Sequence, residues 1–291
     1  MKSTWNGRIV SETANSALHC WLVLHPVDTL TPQLQKNLAR ILGIDEIDVR
    51  VKVHTGGFIT LTENNDAGHL HRESDNLKQI GINSSVFEGT QYYNVPVLSM
   101  AHSGSFKNGV FTFMASNDVP LAEISGADRL LIVKARLDID YLTRSTKLRP
   151  PMRVGGEVLL GLRAIPKTTQ TTETTGNTKI SVIDIYNLSK QTCVRLMESK
   201  FNFNNVLEGK VTYSFIASAK LLIDKFTSLG IDYTIDECFN KSVLPLPKEV
   251  LTKETMDSRI YSSINSKVTS NDIERFSGYS RFRYIIETTK T

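Results

Sequence analysis

The stretch from Val95 to Ile216 most constrains the fold, because short apolar segments follow one another between turn residues with no helical segment among them. Strands that succeed one another without helices pair as antiparallel sheets, as in a sandwich or a jelly roll. We therefore predict a mainly β protein with two or three helices. The predicted strands of this stretch are 95–100, 110–115, 130–139, 157–165, 179–188, 194–203 and 210–216.

One helix is predicted before these strands and one after them. Thr31 can cap the first helix, Pro32 suits its first turn, and Gly43 ends it. The second is predicted over Ser218–Leu229, where apolar residues recur at helical spacing. Residues 231–235 then alternate between apolar and polar side chains, which indicates one more strand.

The other segments give weaker patterns. Residues 47–53 alternate apolar and charged side chains, and together with 58–62 they predict a β-hairpin. Residues 63–92 are polar and indicate a long surface loop, and the tract 167–177, with six threonines and no apolar residue, indicates a solvated loop. The basic and aromatic run 281–286 is a strand candidate.

These elements divide the 291 residues into three predicted regions. Residues 1–94 hold a helix, a hairpin and a polar loop, 95–240 form a β-rich core domain, and 241–291 form a linker and C-terminal extension. No apolar run approaches the roughly 18 residues that a membrane-spanning helix needs. Three scattered cysteines without a Cys-x-x-Cys pair predict reduced thiols and a cytosolic or nuclear protein.

Familiar catalytic patterns are missing from the sequence. It has no phosphate-binding Gly-x-x-x-x-Gly-Lys motif, no dinucleotide fingerprint, no His-Glu-x-x-His and no Gly-x-Ser-x-Gly. We therefore predict a protein without catalysis and without a cofactor. The alternative is a hydrolase or metal site that uses His69 and His71, which could share one face of a strand.

Positive charge is unevenly distributed. The net charge is +4, yet residues 129–167 contain nine basic and only three acidic residues. Such asymmetry indicates an anionic partner, either nucleic acid or a lipid surface, although a solvated sheet face would explain it as well. Lys134 and Arg136 should project from one face of a strand, with further basic residues on the adjoining loop. The predicted phosphate contacts are Lys134, Arg136, Arg144, Lys147, Arg149, Arg153 and Lys167.

The segment from Met152 to Ile216 resembles the thirty-kilodalton superfamily of plant-virus movement proteins. An apolar strand at Val158–Ile165, the glycine Gly176 and a second apolar strand at Ile180–Asp184 follow that family's order, so that Asp184 matches the family's aspartate. By this resemblance Asp184 would hold the arrangement of the core loops. The alternative is an acid at a strand end that caps a turn before Asn187.

The resemblance implies a function as well as a fold. It implies a β-sandwich or jelly-roll core, cooperative and sequence-nonspecific binding of single-stranded nucleic acid, peripheral membrane contact, self-association, and passage of a viral genome through plasmodesmata. The chain also resembles matrix proteins of negative-strand RNA viruses, which are basic and β-rich and coat nucleocapsids and membranes. We therefore predict a movement protein in the cytoplasm and at cell junctions, with a matrix protein as the alternative.

Overall fold

The computed structural model describes residues 19–53, 56–148, 169–244, 266–268 and 272–289. Within these ranges the chain is mainly β, with three sheets and a few helices and no barrel, which confirms the predicted fold class. Among the same residues, no helix is both long enough and apolar enough to cross a bilayer.

The first sheet and its helices form an N-terminal unit. Its three strands are antiparallel, and β1 lies between β2 and β3. Leu22 and Leu24 of β1 are fully buried and pack with Leu38, Leu70 and other apolar side chains of the helices. The elements in chain order are β1 Cys20–Leu24, α1 Pro32–Leu42, α2 Glu46–Val53, β2 Ile59–Asn64, α3 Ala67–Gln79 and β3 Ser84–Glu88.

Helix α1 confirms the prediction from its capping residues. The Thr31 hydroxyl accepts a hydrogen bond from the Leu34 N–H at 3.2 Å, and Gly43 ends the helix with a φ of 63°. Its left-handed backbone favours glycine, which lacks a Cβ.

The strand predicted over 47–53 is wrong, because this segment forms helix α2. Val49 and Val53 are one helical turn apart and both are buried, whereas Ile47 is 75% exposed. The alternating pattern of this segment is compatible with a strand and with this helix. The helix forms because it packs Val49 and Val53 against the N-terminal sheet.

The long polar loop predicted over 63–92 is also wrong. The segment contains α3 and β3, and the Asp66 carboxylate caps α3 by accepting a hydrogen bond from the His69 N–H at 3.1 Å. Only a narrow stripe of α3 is buried, at Leu70, Ser74 and Leu77. That stripe is too short to stand out in a polar sequence.

The central sheet has six strands in the order β11-β8-β9-β10-β4, with β12 also pairing with β8. The sequence predicts antiparallel sheets, but the pairs β11–β8 and β10–β4 are parallel. The central sheet is therefore mixed. A third, three-stranded sheet is antiparallel. The strands are β4 Leu98–Met100, β5 Ser103–Lys107, β6 Val110–Met114, β7 Pro120–Ile124, β8 Arg129–Leu148, β9 Thr169–Asn187, β10 Thr192–Met197, β11 Asp232–Asp236 and β12 Ser266–Val268.

One face of the central sheet packs against the third sheet and helix α4, Phe215–Ser228. Phe226 of α4 meets Phe111 of the third sheet edge to face, with ring centroids 4.9 Å apart. The helix begins earlier than predicted, because Ser214 caps it by accepting from the Ala217 N–H at 3.4 Å. The strand predicted over 210–216 is therefore wrong.

Helix α5, Asp272–Thr289, lies between the other face of the central sheet and the N-terminal sheet. Phe282 contacts Phe58 and Phe87 of the N-terminal unit, with ring centroids 5.7 and 5.2 Å apart, and Tyr284 contacts Tyr186 of the central sheet at 5.0 Å. A helix packed on both sides is buried around most of its circumference. The strand predicted over 281–286 is wrong for this reason.

Two further predictions concern the middle of the chain. The solvated loop predicted over 167–177 is wrong from Thr169 onward, because strand β9 begins there. The strand predicted over 157–165 and the prolines of the predicted linker, Pro245 and Pro247, lie outside the described residues.

Candidate nucleic-acid interface

Strands β8 and β9 form a ladder far longer than the sheet around it. Every rung from Leu130–Asn187 to Leu148–Thr169 is paired without a register shift. Ile139 is the last residue of β8 whose burial the structure describes, and it lies in the body core; the rungs beyond it extend about 30 Å at the usual rise of a strand. We call the sequence range 140–177 the ribbon arm, of which the structure describes residues 140–148 and 169–177, and we call the other described residues the body.

Lys134 and Arg136 lie at the root of this arm. Their neighbours Val133 and Leu137 are buried on the opposite face, and Arg136 is exposed, so both basic residues project from one face as predicted. The Lys134 ammonium is not available as a free cation, because its Nζ lies 2.6 Å from Oε1 of Glu237.

The same face carries a second ion pair four rungs further out than Lys134. Lys179 Nζ lies 3.7 Å from Oδ1 of Asp138, its rung partner. Lys134 and Lys179 at the root of the arm are therefore each paired with a carboxylate. Glu237 follows strand β11 directly, and the parallel pairing of β11 with β8 brings it to Lys134 from a distant part of the sequence.

Arg144 and Lys147 were predicted on a loop, and this placement is wrong. Both lie on β8, where Arg144 is the rung partner of Glu173 and Lys147 that of Gln170. Predicted contacts Arg149, Arg153 and Lys167 lie outside the described residues, in the segment that joins β8 to β9.

The arm contains most of the net charge of the protein. Six basic and three acidic residues lie between positions 140 and 177, which gives +3 of the total of +4. The remaining 28 basic and 27 acidic residues nearly cancel. The basic residues of the arm are Arg144, Lys147, Arg149, Arg153, Arg163 and Lys167.

The arm half of β9 is composed of hydrogen-bonding residues. Between Thr169 and Asn177 it has five threonines, together with Gln170, Glu173 and one glycine. Hydroxyl and amide groups are common partners of phosphate and sugar oxygens in nucleic-acid complexes.

Asp184 has a different role from the one its family match implied. It is fully buried in the middle of β9 opposite Arg195 of β10, and it neither holds a loop nor caps a turn. Arg195 donates to both carboxylate oxygens, Nε to Oδ1 at 2.6 Å and Nη2 to Oδ2 at 2.7 Å. Its Nη1 donates to the Ser277 hydroxyl of α5 at 2.9 Å.

The pKa of Arg195 indicates that its ion pair with Asp184 is structural. Burial alone would lower the pKa of the Arg195 guanidinium, but the charge and hydrogen bonds of Asp184 outweigh burial and raise the pKa above its usual value. All three nitrogens of the Arg195 guanidinium and both oxygens of the Asp184 carboxylate are engaged inside the protein, as is typical of a structural pair.

A second buried cluster joins α5 to the central sheet, and the sequence reading missed it. Asp236 of β11 accepts from the Tyr279 hydroxyl at 2.6 Å and from Nε of Arg283 at 2.7 Å. Glu287, one turn further along α5, accepts from Nη2 of Arg129 at 2.9 Å. The sequence contains one sign of this helix, since Arg283 and Glu287 are four residues apart, the spacing of an ion pair on a helix. The strand predicted over 281–286 does not allow that pair.

The histidines of the alternative enzyme hypothesis do not converge. His69 and His71 lie on helix α3, not on a strand, and residues two apart on a helix point in different directions. His69 Nε2 lies 3.4 Å from Oε1 of Glu73, one turn away. Among the described residues, no group of three His, Cys, Asp or Glu side chains is arranged to hold a metal ion.

Comparisons with known proteins give no relative for this chain. No family model matches it, and neither a curated protein nor a solved structure is significantly similar to it.

Proposed function

We propose that this protein binds single-stranded nucleic acid without sequence specificity, and that the ribbon arm is its binding element. The observation that carries this proposal is the segregation of charge along the sequence, since residues 140–177 have a net charge of +3 and the rest of the chain has +1. Four of the six basic residues of this range lie in 149–168, outside the described residues. A polyanion is attracted to the part of a protein where basic residues are in excess.

The architecture of the arm supports the same proposal. A two-stranded ribbon is narrow enough to lie in a nucleic-acid groove or along a single strand, and several DNA-binding proteins use such ribbons. Tyr141 is the only aromatic residue between positions 140 and 177, so stacking on bases contributes little there. Contacts to phosphates then dominate, which makes binding independent of sequence and sensitive to salt.

A salt titration with fluorescently labelled single-stranded RNA tests the proposal. The fourfold variant Arg144→Gln, Lys147→Gln, Arg149→Gln, Arg153→Gln should bind more weakly, and each lost phosphate contact should reduce the slope of log affinity against log salt by about 0.7. The matched control is Lys134→Gln with Arg136→Gln, which should change the slope less because Lys134 is already paired with Glu237. Absence of binding at low salt, or equal slopes for both variants, would refute the proposal.

We further propose that this binding serves the transport of a viral genome or ribonucleoprotein from cell to cell, as the resemblance to movement proteins implies. A fluorescent fusion expressed in leaf epidermis should then collect in spots at cell-wall junctions. Budding of particles that contain the protein would instead favour the matrix role. A signal spread evenly through the cytoplasm would contradict both.

A further inference from the structure

A fully exposed tyrosine precedes helix α4. Tyr213 is 112% exposed, the highest value among the exposed large apolar side chains of the described residues, and Ile216 is 59% exposed on the first turn of the helix. Four of the ten exposed large apolar side chains of the described residues lie in the short range 211–221. Clusters of this kind on a protein surface often mark a binding site.

The backbone on both sides of Tyr213 is fixed. The N–H of Thr212 donates to the Ser218 hydroxyl at 3.2 Å, and the Thr212 hydroxyl donates to the Ser214 carbonyl at 2.9 Å. Ser214 in turn caps α4. The Tyr213 ring therefore projects from a backbone that is already ordered, so that a flat molecule can stack on it with little further loss of conformational entropy.

Basic side chains flank this ring. Of the five charged residues between positions 208 and 225, Glu208 and Lys225 neutralise each other, with Lys225 Nζ 2.8 Å from Oε1 of Glu208. Lys210 and Lys220 remain against the single carboxylate of Asp224, and all three residues are exposed. We use the name aromatic platform for the set Lys210, Tyr213, Ile216 and Lys220.

The start of α4 lies on the side of the body from which the ribbon arm extends. Phe215 of its first turn contacts Phe203 with ring centroids 5.3 Å apart, and Phe203 contacts Phe201 at 4.7 Å. The N–H of Phe201 donates to the Met197 carbonyl at 2.9 Å. Met197 is the last residue of β10 and pairs with Val182 of β9, close to the arm.

The sheet face that α4 covers also carries the basic residues at the root of the arm. Leu130 and Ile132 of β8 belong to the apolar cluster that α4 completes. Lys134 and Arg136 continue the same alternation, so they lie on the same face, where Arg136 is exposed. A strand of nucleic acid bound along the arm can therefore reach the aromatic platform by passing over Arg136.

We propose that Tyr213 stacks on a base of a single-stranded nucleic acid and that Lys210 and Lys220 contact the flanking phosphates. Proteins that bind single strands combine a cationic surface with aromatic rings on which bases stack, and such stacking tolerates any base sequence. This contact rests on the proposed function and deepens it, because base stacking contributes little along the arm. One stack and two phosphate contacts are too few to hold a strand without the arm.

Substitutions of Tyr213 test the stack with fluorescently labelled single-stranded RNA. Tyr213→Ala should bind at least about 5-fold more weakly than the wild type, whereas Tyr213→Phe keeps an aromatic face and should bind within about 2-fold of it. The slope against salt should not change in either, because stacking releases no counterions. Lys210→Gln with Lys220→Gln should instead reduce the slope by about 1.4. The matched control is Ile47→Ala on α2, which shortens another side chain that is 75% exposed and should not change the affinity.

A strand without bases separates stacking from charge. Tyr213→Ala should bind single-stranded DNA more weakly than the wild type does, and both proteins should bind an abasic deoxyribose phosphate strand of the same length equally. An equal loss of affinity on both strands would overturn the stacking contact.

Two further results would overturn the contact and leave the proposed function intact. One is wild-type affinity of Tyr213→Ala for RNA under conditions in which the fourfold arm variant binds more weakly. The other is an RNA-free wild-type dimer that Tyr213→Ala dissociates without loss of RNA affinity, since the exposed side chains would then serve self-association. Absence of RNA binding by the wild type at low salt would refute both proposals.

Discussion

In the body, basic side chains such as Arg195 and Arg283 are buried and paired with carboxylates, whereas in the ribbon arm basic residues outnumber acidic ones by six to three. The body is held by contacts among three apolar clusters, with α5 between two sheets. The arm extends past the last core residue, Ile139.

This difference separates what folds the protein from what it presents to a partner. Buried ion pairs fix the position of α5 between the sheets, and removing one partner leaves a charge without compensation. Charges that water solvates in both the folded and the unfolded state contribute little to stability. Substitutions should therefore sort into two classes, those that unfold the body and those that change binding alone.

The largest effect is expected from Asp184→Ala. The substitution leaves the Arg195 guanidinium buried and without its carboxylate, which should lower the free energy of unfolding by about 3–5 kcal/mol. Equilibrium unfolding in urea, followed by circular dichroism, measures this loss. The double variant Asp184→Leu, Arg195→Met should recover much of it, since an apolar pair of similar volume leaves no unpaired charge.

A loss below about 1 kcal/mol for the single Asp184 variant would contradict a structural role for this pair. It would mean that the fold does not depend on this pair, although the carboxylate and the guanidinium are both buried.

A smaller, pH-dependent effect is expected from Asp128→Asn in the turn between β7 and β8. Asp128 accepts from Lys190 Nζ at 2.8 Å and from the Ser125 N–H at 2.7 Å. Burial alone would raise the pKa of Asp128, but these hydrogen bonds outweigh burial and hold the pKa below its ordinary value.

Because the folded protein has the lower pKa, the stabilising contribution of Asp128 is complete at neutral pH and is lost as pH falls through the folded pKa. The wild-type protein should exceed Asp128→Asn in unfolding free energy by about 1 kcal/mol at neutral pH. The difference should shrink below about pH 4. A difference that is constant from pH 7 to pH 3 would contradict this assignment.

The smallest effect is expected from Lys134→Gln at the root of the arm. The side chain of Glu237, its partner, is 66% exposed, and a surface pair of this kind contributes about 0.5 kcal/mol or less. Thermal unfolding of Lys134→Gln, Glu237→Gln and the double variant measures the coupling. A coupling above about 1 kcal/mol would show that the arm root is part of the folded core.

The same contrast explains how much of the fold the sequence could predict. Helix α1 was predicted because its signals at Thr31, Pro32 and Gly43 are local. Helix α5 was missed because its burial depends on Arg129 and Asp236, which are distant in sequence and allow charged residues such as Arg283 inside. A local sequence pattern does not show that a buried charge has a partner of opposite charge in a distant segment.

The site was also predicted only in part. The excess of basic residues can be counted in the sequence, but pairing of Lys134 with Glu237 requires knowing that β11 lies beside β8. The arm was missed because the threonine tract has no apolar residue to indicate a strand, and its strand is defined by backbone pairing with β8.

Removal of the arm tests the central claim most directly. Residues 144–173 can be replaced by Asn-Gly, because Thr143 and Thr174 are rung partners at a hydrogen-bonded position and this dipeptide favours a two-residue hairpin turn. This replacement keeps Tyr141, Leu142 and Thr143, with which β12 pairs. The shortened protein should unfold within about 1 kcal/mol of the wild type and should lose salt-dependent binding of single-stranded RNA. Unchanged RNA affinity in a folded, shortened protein would contradict the account.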